Sequence, residues 1–405
     1  MLLSAGGVVL LVVALLLMVP VTVLLLQVLA AVLPASTPRD SDHKLDAPRP
    51  RTAVLVPAHD EAAGIAATLQ SVLDQIAPGD RLIVVADNCS DDTARVASAA
   101  GAEVIERNDL QRRGKGYALD RGIRFLEGAP PEVVLVVDAD CKLHSGSLDH
   151  LARRCAQSMR PVQALDLMHA PEDAGLKTRI AAFAWVVKNH ARALGGHRLG
   201  LPCQLMGTGM AFPWELIRAA PLASGHLVED MRLGLDMAMV GAAPLFCPQA
   251  LVTSMFPSSA QGIAEQRVRW ERGHLGAILL EAPSALWRSV ASGNPRLAAM
   301  VLDLSVPPLT VLVMLLVLQT LADSALAAFG GSRLPVWIAA AALSMVGLTI
   351  TLAWWRFGRG IVSIGDLVRV PLYVLAKVPL YARMFHRGNQ EWVRTTRDNG
   401  QDSRK

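Results

Sequence analysis

Charged residues are scarce in this chain of 405 residues and make up only 18% of the sequence. Soluble domains usually carry about 25% charged residues. Hydrophobic residues account for 52% of the chain, and the mean hydropathy is +0.36. This balance excludes a disordered or fibrous protein and indicates segments that lie in a membrane, while the length predicts two or three structural units.

Paired cysteines and a strong net charge are also missing. The five cysteines are scattered and form no CxxC motif. This pattern argues against a zinc site or a disulfide framework and indicates reduced thiols that face the cytosol. The net charge of +4 is too small to predict nucleic acid as a partner, but it suits the basic flanks of a membrane protein.

The N-terminal segment has no charge before Arg39. Its apolar run, residues 6–33, exceeds the roughly 20 residues that cross a bilayer. A signal peptide would have a basic start and an apolar run of about 7–15 residues, and this segment has neither. Residues 1–38 are therefore predicted to be a membrane anchor. Basic residues follow it, which predicts that the next segment is cytosolic.

Two further spans are predicted at residues 300–322 and 334–355, within a membrane region at 299–357. The first contains Pro307 and Pro308. Residues 360–405 hold an apolar stretch with charges and prolines, followed by a basic tail. We favour an interfacial segment with a cytosolic tail, and the alternative is a fourth span. A multi-pass protein of the inner (plasma) membrane is expected.

Residues 50–292 have the composition of a cytosolic α/β domain. Short β-rich runs at 52–57, 81–86 and 132–137 alternate with helical patterns that begin near residues 61, 91 and 147. This rhythm predicts a mostly parallel sheet with helices on both faces, which binds ligands at the carboxyl ends of its strands. No GxGxxG motif opens the first helix, so a dinucleotide-binding fold has little support.

A DxD motif, Asp138 and Asp140, ends the apolar run at 133–137. Carboxylates at a strand end suit Mg²⁺ or Mn²⁺ bound together with a diphosphate. The alternative is an ordinary turn or helix cap. Asp87 ends another strand and has the chemistry to accept a hydrogen bond from a base, whereas the nearby Asp91 and Asp92 suit helix capping.

Three other features contain residues that are suited to ligand binding or catalysis. Lys115 lies in a basic, glycine-containing turn. Such a turn can bind a phosphate group, and the alternative is a basic loop that only contacts solvent. Asp230 follows Glu229, and such a neighbour raises the pKa of a candidate base; the alternative is two acids at a helix N-terminus. Gln266, Arg269 and Trp270 share one helix face, suited to phosphate and sugar or, alternatively, to a membrane interface.

Taken together and in this order, the motifs resemble those of the family 2 glycosyltransferases. The ordered set comprises VPAHDE at 56–61, Asp87, GKG at 114–116, DAD at 138–140, GTG at 207–209, ED at 229–230 and QxxRW at 266–270. The chain is most similar to the membrane-embedded branch that contains cellulose, hyaluronan, chitin and poly-N-acetylglucosamine synthases. The resemblance covers roughly residues 50–290 and implies a GT-A fold, one N-terminal and two or three C-terminal membrane helices, and inversion at the anomeric carbon.

The resemblance also implies roles for the donor-side residues. Asp87 would contact the nucleotide base, with Glu61 beside it. Lys115 would lie near the base or the phosphates. Asp138 would bind the substrate within the DxD motif, and Asp140 would ligate Mg²⁺ or Mn²⁺.

On the acceptor side, Asp230 would be the general base that deprotonates the acceptor hydroxyl. The QxxRW residues would hold the pyrophosphate and the acceptor end, and these are Gln266, Arg269 and Trp270. The first motif departs from the family pattern because His59-Asp60-Glu61 stands where Asn-Glu is usual. Val228 likewise replaces the usual Thr before the two acids.

The expected function is transfer of a sugar from a nucleotide-sugar donor, of the UDP-sugar class, to a growing polysaccharide or glycan. The alternative within this class is single transfer to a lipid acceptor. A membrane receptor with an inactive transferase domain would have lost DxD, ED or QxxRW, and all three are present. A nucleotidyltransferase would need a glycine-rich phosphate loop after the first strand, and the VPAHDE segment at 56–61 does not supply one. The expected partners are the donor, a glycan or lipid-linked acceptor, the lipid bilayer and polysaccharide-export components.

Overall fold

An eight-stranded sheet forms the centre of the computed structural model, which describes residues 5–34, 48–225, 228–257 and 260–369. The strand order is β3-β2-β1-β4-β7-β6-β8-β5. The strands are β1 (Thr52–Ala58), β2 (Arg81–Asp87), β3 (Glu103–Arg107), β4 (Val133–Val136), β5 (Lys142–Leu143), β6 (Val162–His169), β7 (Met210–Pro213) and β8 (Leu245–Met255). Four of the pairings are parallel, and β4–β7, β6–β7 and β5–β8 are antiparallel.

Helices cover both faces of this sheet because successive strand residues point to opposite sides. Val54 and Val56 pack against α2 (Ile65–Leu73), α3 (Thr93–Ala99) and α5 (Ser147–Ser158). Ala53 and Leu55 face the other side, which is covered by α4 (Lys115–Leu126), α8 (Trp214–Arg218) and α9 (Glu229–Met239). The predicted α/β architecture, GT-A-like and mostly parallel, is confirmed.

Three helices of the described chain are long and apolar enough to cross a membrane. They are α1 (Ala5–Val32), α13 (Leu309–Ala328) and α14 (Leu334–Ala353), the last continued by a π-helical turn to Gly358. Their inner faces pack together through residues such as Val21, Leu316 and Val346. Their outer faces expose large apolar side chains, among them Leu15, Leu16 and Leu321, as expected for surfaces in contact with lipid.

The predicted span at 300–322 begins too early. A separate helix, α12 (Pro295–Leu304), ends before Pro307 and Pro308, and α13 starts directly after them. Proline lacks the backbone N–H and disfavours helical geometry in the residue before it, so the two prolines divide the segment. Residues 364–369 are helical, and the predicted interfacial or fourth segment beyond residue 369 lies outside the described residues.

A long helical segment between β6 and β7 packs against α1. It consists of α6 (Leu176–Val186), a π-helical segment (Val187–Arg192) and α7 (Ala193–Arg198). Gly195 allows close packing against α1, since an added Cβ would lie 1.8 Å from the Gln27 carbonyl oxygen. A second helical connection, α10 (Ala260–Gly276), a π-helical turn (Ala277–Glu281) and α11 (Ala282–Ala291), leads to α12.

Candidate active site

One large cavity, about 610 Å³ in volume, lies at the carboxyl ends of the central strands and extends to α1 and to the segment between α12 and α13. Residues from the sheet, from α9, from α10 and from the π-helical segment line it. All nine site residues predicted from the sequence are on its wall, namely Glu61, Asp87, Lys115, Asp138, Asp140, Asp230, Gln266, Arg269 and Trp270. The fold therefore brings together residues that are up to 209 positions apart in the chain (270 − 61).

Asp87 occupies the end of β2 and is held by a cation that the sequence did not reveal. Arg107, at the end of the neighbouring strand β3, donates to Asp87 Oδ1 at 2.5 Å. Arg107 also donates to the backbone oxygen of Arg112 at 2.8 Å. The ion pair fixes the orientation of the carboxylate, so that it has a defined edge to offer to a ligand.

Glu61 lies at the turn after β1 and lines the same cavity as Asp87. Its backbone N–H donates to Thr93 Oγ1 at 2.7 Å, which ties the turn to the start of α3. The acid in this region that caps α3 is Asp91, since its carboxylate accepts the Thr93 N–H at 3.0 Å, and Asp92 instead pairs with Arg95. The capping expectation thus applies to Asp91 alone.

Lys115 begins α4 and reaches into the cavity, where its ammonium contacts Asp138 and the Gly207 carbonyl oxygen, the latter at 2.8 Å. Burial opposes charge on Lys115, but Asp138 and Glu229 outweigh it and raise the pKa of the ammonium. The cation therefore stays charged at neutral pH. Lys115 belongs to an ordered acid–base cluster and not to a solvated basic loop.

The two DxD carboxylates differ in their surroundings. Burial raises the pKa of Asp138, and the charge of Lys115 opposes that shift. The Asp138 backbone N–H donates to Thr208 Oγ1 at 3.1 Å, which connects the motif to the 207–209 turn. Asp140 also lines the cavity. These are hard oxygen donors suited to Mg²⁺ or Mn²⁺, and they lie beside further acids whose charge a cation would offset.

A second acidic group, Asp60, Cys89 and Asp91, has ligand atoms within 4.8 Å of one another. The Asp60 carboxylate accepts hydrogen bonds from the Ser90 backbone and hydroxyl, and Asp91 accepts from the Ala62 N–H at 3.0 Å. These bonds organise the two turns. The oxygen donors at the DxD motif suit a hard divalent cation better than this group, which includes a thiol.

Asp230 lies in the first turn of α9 and faces Lys115 across the 207–209 turn. An added Cβ at Gly207 would be in ordinary contact with both groups, 3.5 Å from Asp230 Oδ2 and 3.8 Å from Lys115 Nζ, so the two side chains lie close to this position. Burial raises the pKa of Asp230. Burial, and then the charge of Asp230, raise the pKa of Glu229 to about 7. Both shifts move these carboxyl pKa values upward, which is the direction that suits a general base working near neutral pH.

The sequence reasoning missed Asp166 and Lys188. Asp166 lies in β6, is 2% exposed and accepts from Asn189 Nδ2 at 3.0 Å. Burial, followed by the charge of Asp138, raises the pKa of Asp166 to about 8. Burial lowers the pKa of Lys188, and Asp230 opposes that shift. An acid within the otherwise mostly apolar strand at 162–169 was the available signal for Asp166.

The QxxRW residues on α10 form a further part of the cavity wall. The Trp270 ring lies 4.7 Å from the Trp185 ring, centroid to centroid, at 39°. Gln266 is 7% exposed, and its Oε1 has no hydrogen-bond partner among the described residues. A buried amide oxygen without a partner is costly, and a ligand in the cavity would satisfy it.

The architecture is shared with a solved structure. The mannosyltransferase PcManGT from Pyrobaculum calidifontis, in complex with GDP-Man and Mn²⁺, matches 89% of this chain and 98% of its own length, with a TM-score of 0.54 and 19% identity. At this identity the likeness concerns the fold, which is that of a GT-A-like protein.

The sequence then places the chain in a family. The family described as "Glycosyltransferase like family 2" matches residues 48–273, which is more than half of the chain. The protein therefore belongs to glycosyltransferase family 2.

Curated relatives share part of the chain. A probable glycosyltransferase of Bacillus subtilis, YdaM, is 24% identical over 245 residues, which are 57% of this chain and 56% of YdaM. The glucosyl-3-phosphoglycerate synthase of Mycolicibacterium paratuberculosis is 38% identical over 213 residues, which are 45% of this chain and 61% of that enzyme. The match thus spans just over half the length of these relatives.

Proposed function

We propose that this protein is a metal-dependent, inverting glycosyltransferase that moves a sugar from a nucleotide-sugar donor to an acceptor at the membrane. The observation that carries the proposal is the convergence of the nine predicted residues on one cavity, with Asp230 beside the DxD and Lys115 cluster. The order of the motifs favours the membrane-embedded branch of the family, and with it a role in polysaccharide or glycan assembly at the inner membrane, with export components as partners.

In this proposal the donor is held by its two ends. Asp87, fixed by Arg107, accepts a hydrogen bond from the base, with Glu61 adjacent. Lys115 and Arg269 face the phosphates. Asp138 and Asp140 would hold Mg²⁺ or Mn²⁺, which would offset the charge that develops on the departing diphosphate.

The protein's own groups account for the transfer. The acceptor hydroxyl oxygen forms the new bond to the anomeric carbon, and the bond from that carbon to the diphosphate breaks on the opposite face. The hydroxyl proton passes to Asp230, and the electron pair of the broken bond leaves with the nucleoside diphosphate. Arg269, which lines the same cavity, would stabilise that leaving charge, and a positioned charge of this kind contributes about 3 kcal/mol.

A release assay tests the proposal. The purified full chain is given a panel of UDP-sugars and GDP-sugars, with a membrane lipid extract and Mn²⁺ or Mg²⁺, and free nucleoside diphosphate is measured. The resemblance favours a UDP-sugar, while GDP-sugars are included because PcManGT is bound to GDP-Man.

The expected result is release from one donor class that stops in excess chelator and in Asp140→Ala. Asp173→Ala, at an exposed acid away from the cavity, is the matched control and keeps full activity. Full activity in excess chelator would overturn the metal role. No release from any donor would overturn the proposed function.

A further inference from the structure

The candidate active site continues past its catalytic residues toward the membrane helices. Leu24 of α1 and residues 306–310, between α12 and α13, belong to the same cavity wall as Asp230 and Trp270. Leu24 lies in the C-terminal part of α1, and residues 306–310 lead into the start of α13. A ligand with its reacting group at Asp230 can therefore extend to the end of the membrane bundle nearest the sheet domain.

This part of the wall, which we call the membrane-side wall (Leu24 and residues 306–310), has few polar groups. Residues 306–310 read Val-Pro-Pro-Leu-Thr, so that only Thr310 has a polar side chain and neither proline has a backbone N–H. A glycan chain carries hydroxyls on every residue, and each hydroxyl loses free energy when it is buried without a hydrogen bond. A hydrocarbon chain instead gains free energy on such a surface.

The wall of this same cavity also carries a cation, Lys188. Lys188 comes from the π-helical segment and lies 5.5 Å above the centre of the Trp185 ring. Among the described residues its ammonium has no hydrogen bond and no carboxylate within salt-bridge distance, although Asp230 and Asp166 act on it electrostatically. Its neighbour Arg192, by contrast, already bonds Asp303 and Gln27. Lys188 thus has hydrogen-bonding capacity left for an anionic ligand.

We propose, resting on the proposed function, that the acceptor is a lipid whose head group carries a phosphate and a free hydroxyl. The phosphate binds Lys188, the hydrocarbon chain lies on the membrane-side wall, and the hydroxyl faces Asp230. In the transfer, the hydroxyl O–H bond breaks and its proton goes to Asp230. The oxygen forms its bond to the anomeric carbon as the bond to the diphosphate breaks, and the nucleoside diphosphate leaves with the electron pair.

A photoreactive lipid tests the acceptor site without needing catalysis. The full chain is reconstituted in phosphatidylcholine nanodiscs and irradiated with an alkyl phosphate that carries a diazirine in its chain. The matching alkyl alcohol is the neutral control probe. Peptide mass spectrometry then maps the adducts. The proposal predicts that the phosphate probe labels residues 306–310 and the segment around Leu24 at least ten times more than the alcohol does.

Two lysine variants separate the specific site from general partitioning into lipid. Lys188→Gln should lower labelling of the membrane-side wall by the phosphate probe about tenfold. Lys142→Gln, at an exposed lysine outside the cavity, should leave it unchanged. Labelling that is equal for both probes, that is unaffected by Lys188→Gln, or that is confined to lipid-facing residues such as Leu15 and Leu16 would overturn the proposal.

Nucleotide binding, measured on the same samples, distinguishes the two hypotheses. If Lys188→Gln keeps the donor affinity and melting temperature of the unmodified protein while labelling falls, the acceptor site is supported. If the protein binds nucleotide and releases nucleoside diphosphate from a sugar donor, yet the phosphate probe does not label the membrane-side wall, only the acceptor assignment fails. If no nucleotide binds and no donor is turned over, the proposed function itself fails.

Discussion

The carboxylate pair Glu229 and Asp230 determines how the proposed reaction should depend on pH. Burial, and then the charge of Asp230, raise the pKa of Glu229 to about 7, and burial also raises the pKa of Asp230. A base must be ionised to accept a proton, so kcat/KM should fall on the acid side at a higher pH than an ordinary aspartate would give, and level off above that limb. A pH profile of nucleoside diphosphate release checks this.

The variant Glu229→Gln sharpens the pH test. Removing the neighbouring negative charge makes ionisation of Asp230 easier, so the acid limb of the profile should move to lower pH. The exposed Glu172→Gln is the control and should leave the limb in place. A profile that is flat between pH 5 and 8 would contradict the role of the pair.

Arg107 is predicted to act through Asp87. Arg107→Gln removes the ion pair that orients this carboxylate, so donor binding should weaken while the chemical step is unchanged. We expect KM for the donor to rise about tenfold, which corresponds to roughly 1.4 kcal/mol, with little change in kcat. Arg121→Gln, at an exposed arginine on α4, is the matched control. A fall in kcat at unchanged KM would argue against this positioning role.

Sequence reasoning found the charged residues at strand ends but not the groups that hold them. Asp87 and Asp138 were predictable because parallel strands end at the same edge of the sheet. Arg107 and Lys188 were not, because the position of Arg107 beside Asp87 depends on strand register and the position of Lys188 depends on how the π-helical segment packs. Lys115 was assigned to a basic turn, and only the tertiary structure shows its ammonium bound to Asp138 and Gly207.

At the scale of elements, a buried polar network joins α1 to the π-helical segment and to α12. Arg192 of the π-helical segment donates to Asp303 Oδ1 at 2.7 Å and to Gln27 Oε1 at 3.0 Å. Gln27 also donates to Asp303 Oδ1 at 2.7 Å. Three helical elements distant in sequence thus meet at one cation next to the cavity.

Breaking this network should loosen the contact between these elements. Asp303→Asn leaves the buried Arg192 without its counter-charge, which should cost about 3 kcal/mol of unfolding free energy. Thermal unfolding in detergent measures this, with Asp173→Asn as the exposed control. An unchanged melting temperature would show that the network does not contribute to stability.

The elements themselves were predictable to different degrees. The strands β1, β2 and β4 follow from runs of buried aliphatic residues, and their observed bounds differ from the predicted ones by one residue at most at each end. The start of α13 was missed because hydropathy is continuous across Pro307 and Pro308, while backbone geometry is not. The connection from α6 to α7 was missed because its sequence has no clear apolar stripe.

At the scale of the whole molecule, three membrane-crossing helices would place the sheet domain and the loop at 329–333 on opposite sides of the bilayer. The basic residues after α1 predict that the domain is cytosolic. A reporter that is active only outside the cytosol should therefore be active when inserted at Gly330 and inactive at Pro130. The opposite pattern would contradict the orientation.

The central claim is that sugar transfer occurs in this cavity with Asp230 as the base, and Asp230→Asn tests it most directly. The change keeps the shape of the side chain but removes the proton acceptor. Donor affinity should persist, since Asp87, Lys115 and the DxD motif are intact. Transfer per folded protein should fall by about 10²–10⁴-fold, the usual contribution of a positioned base. Near-normal transfer by Asp230→Asn, with normal donor affinity, would contradict the account.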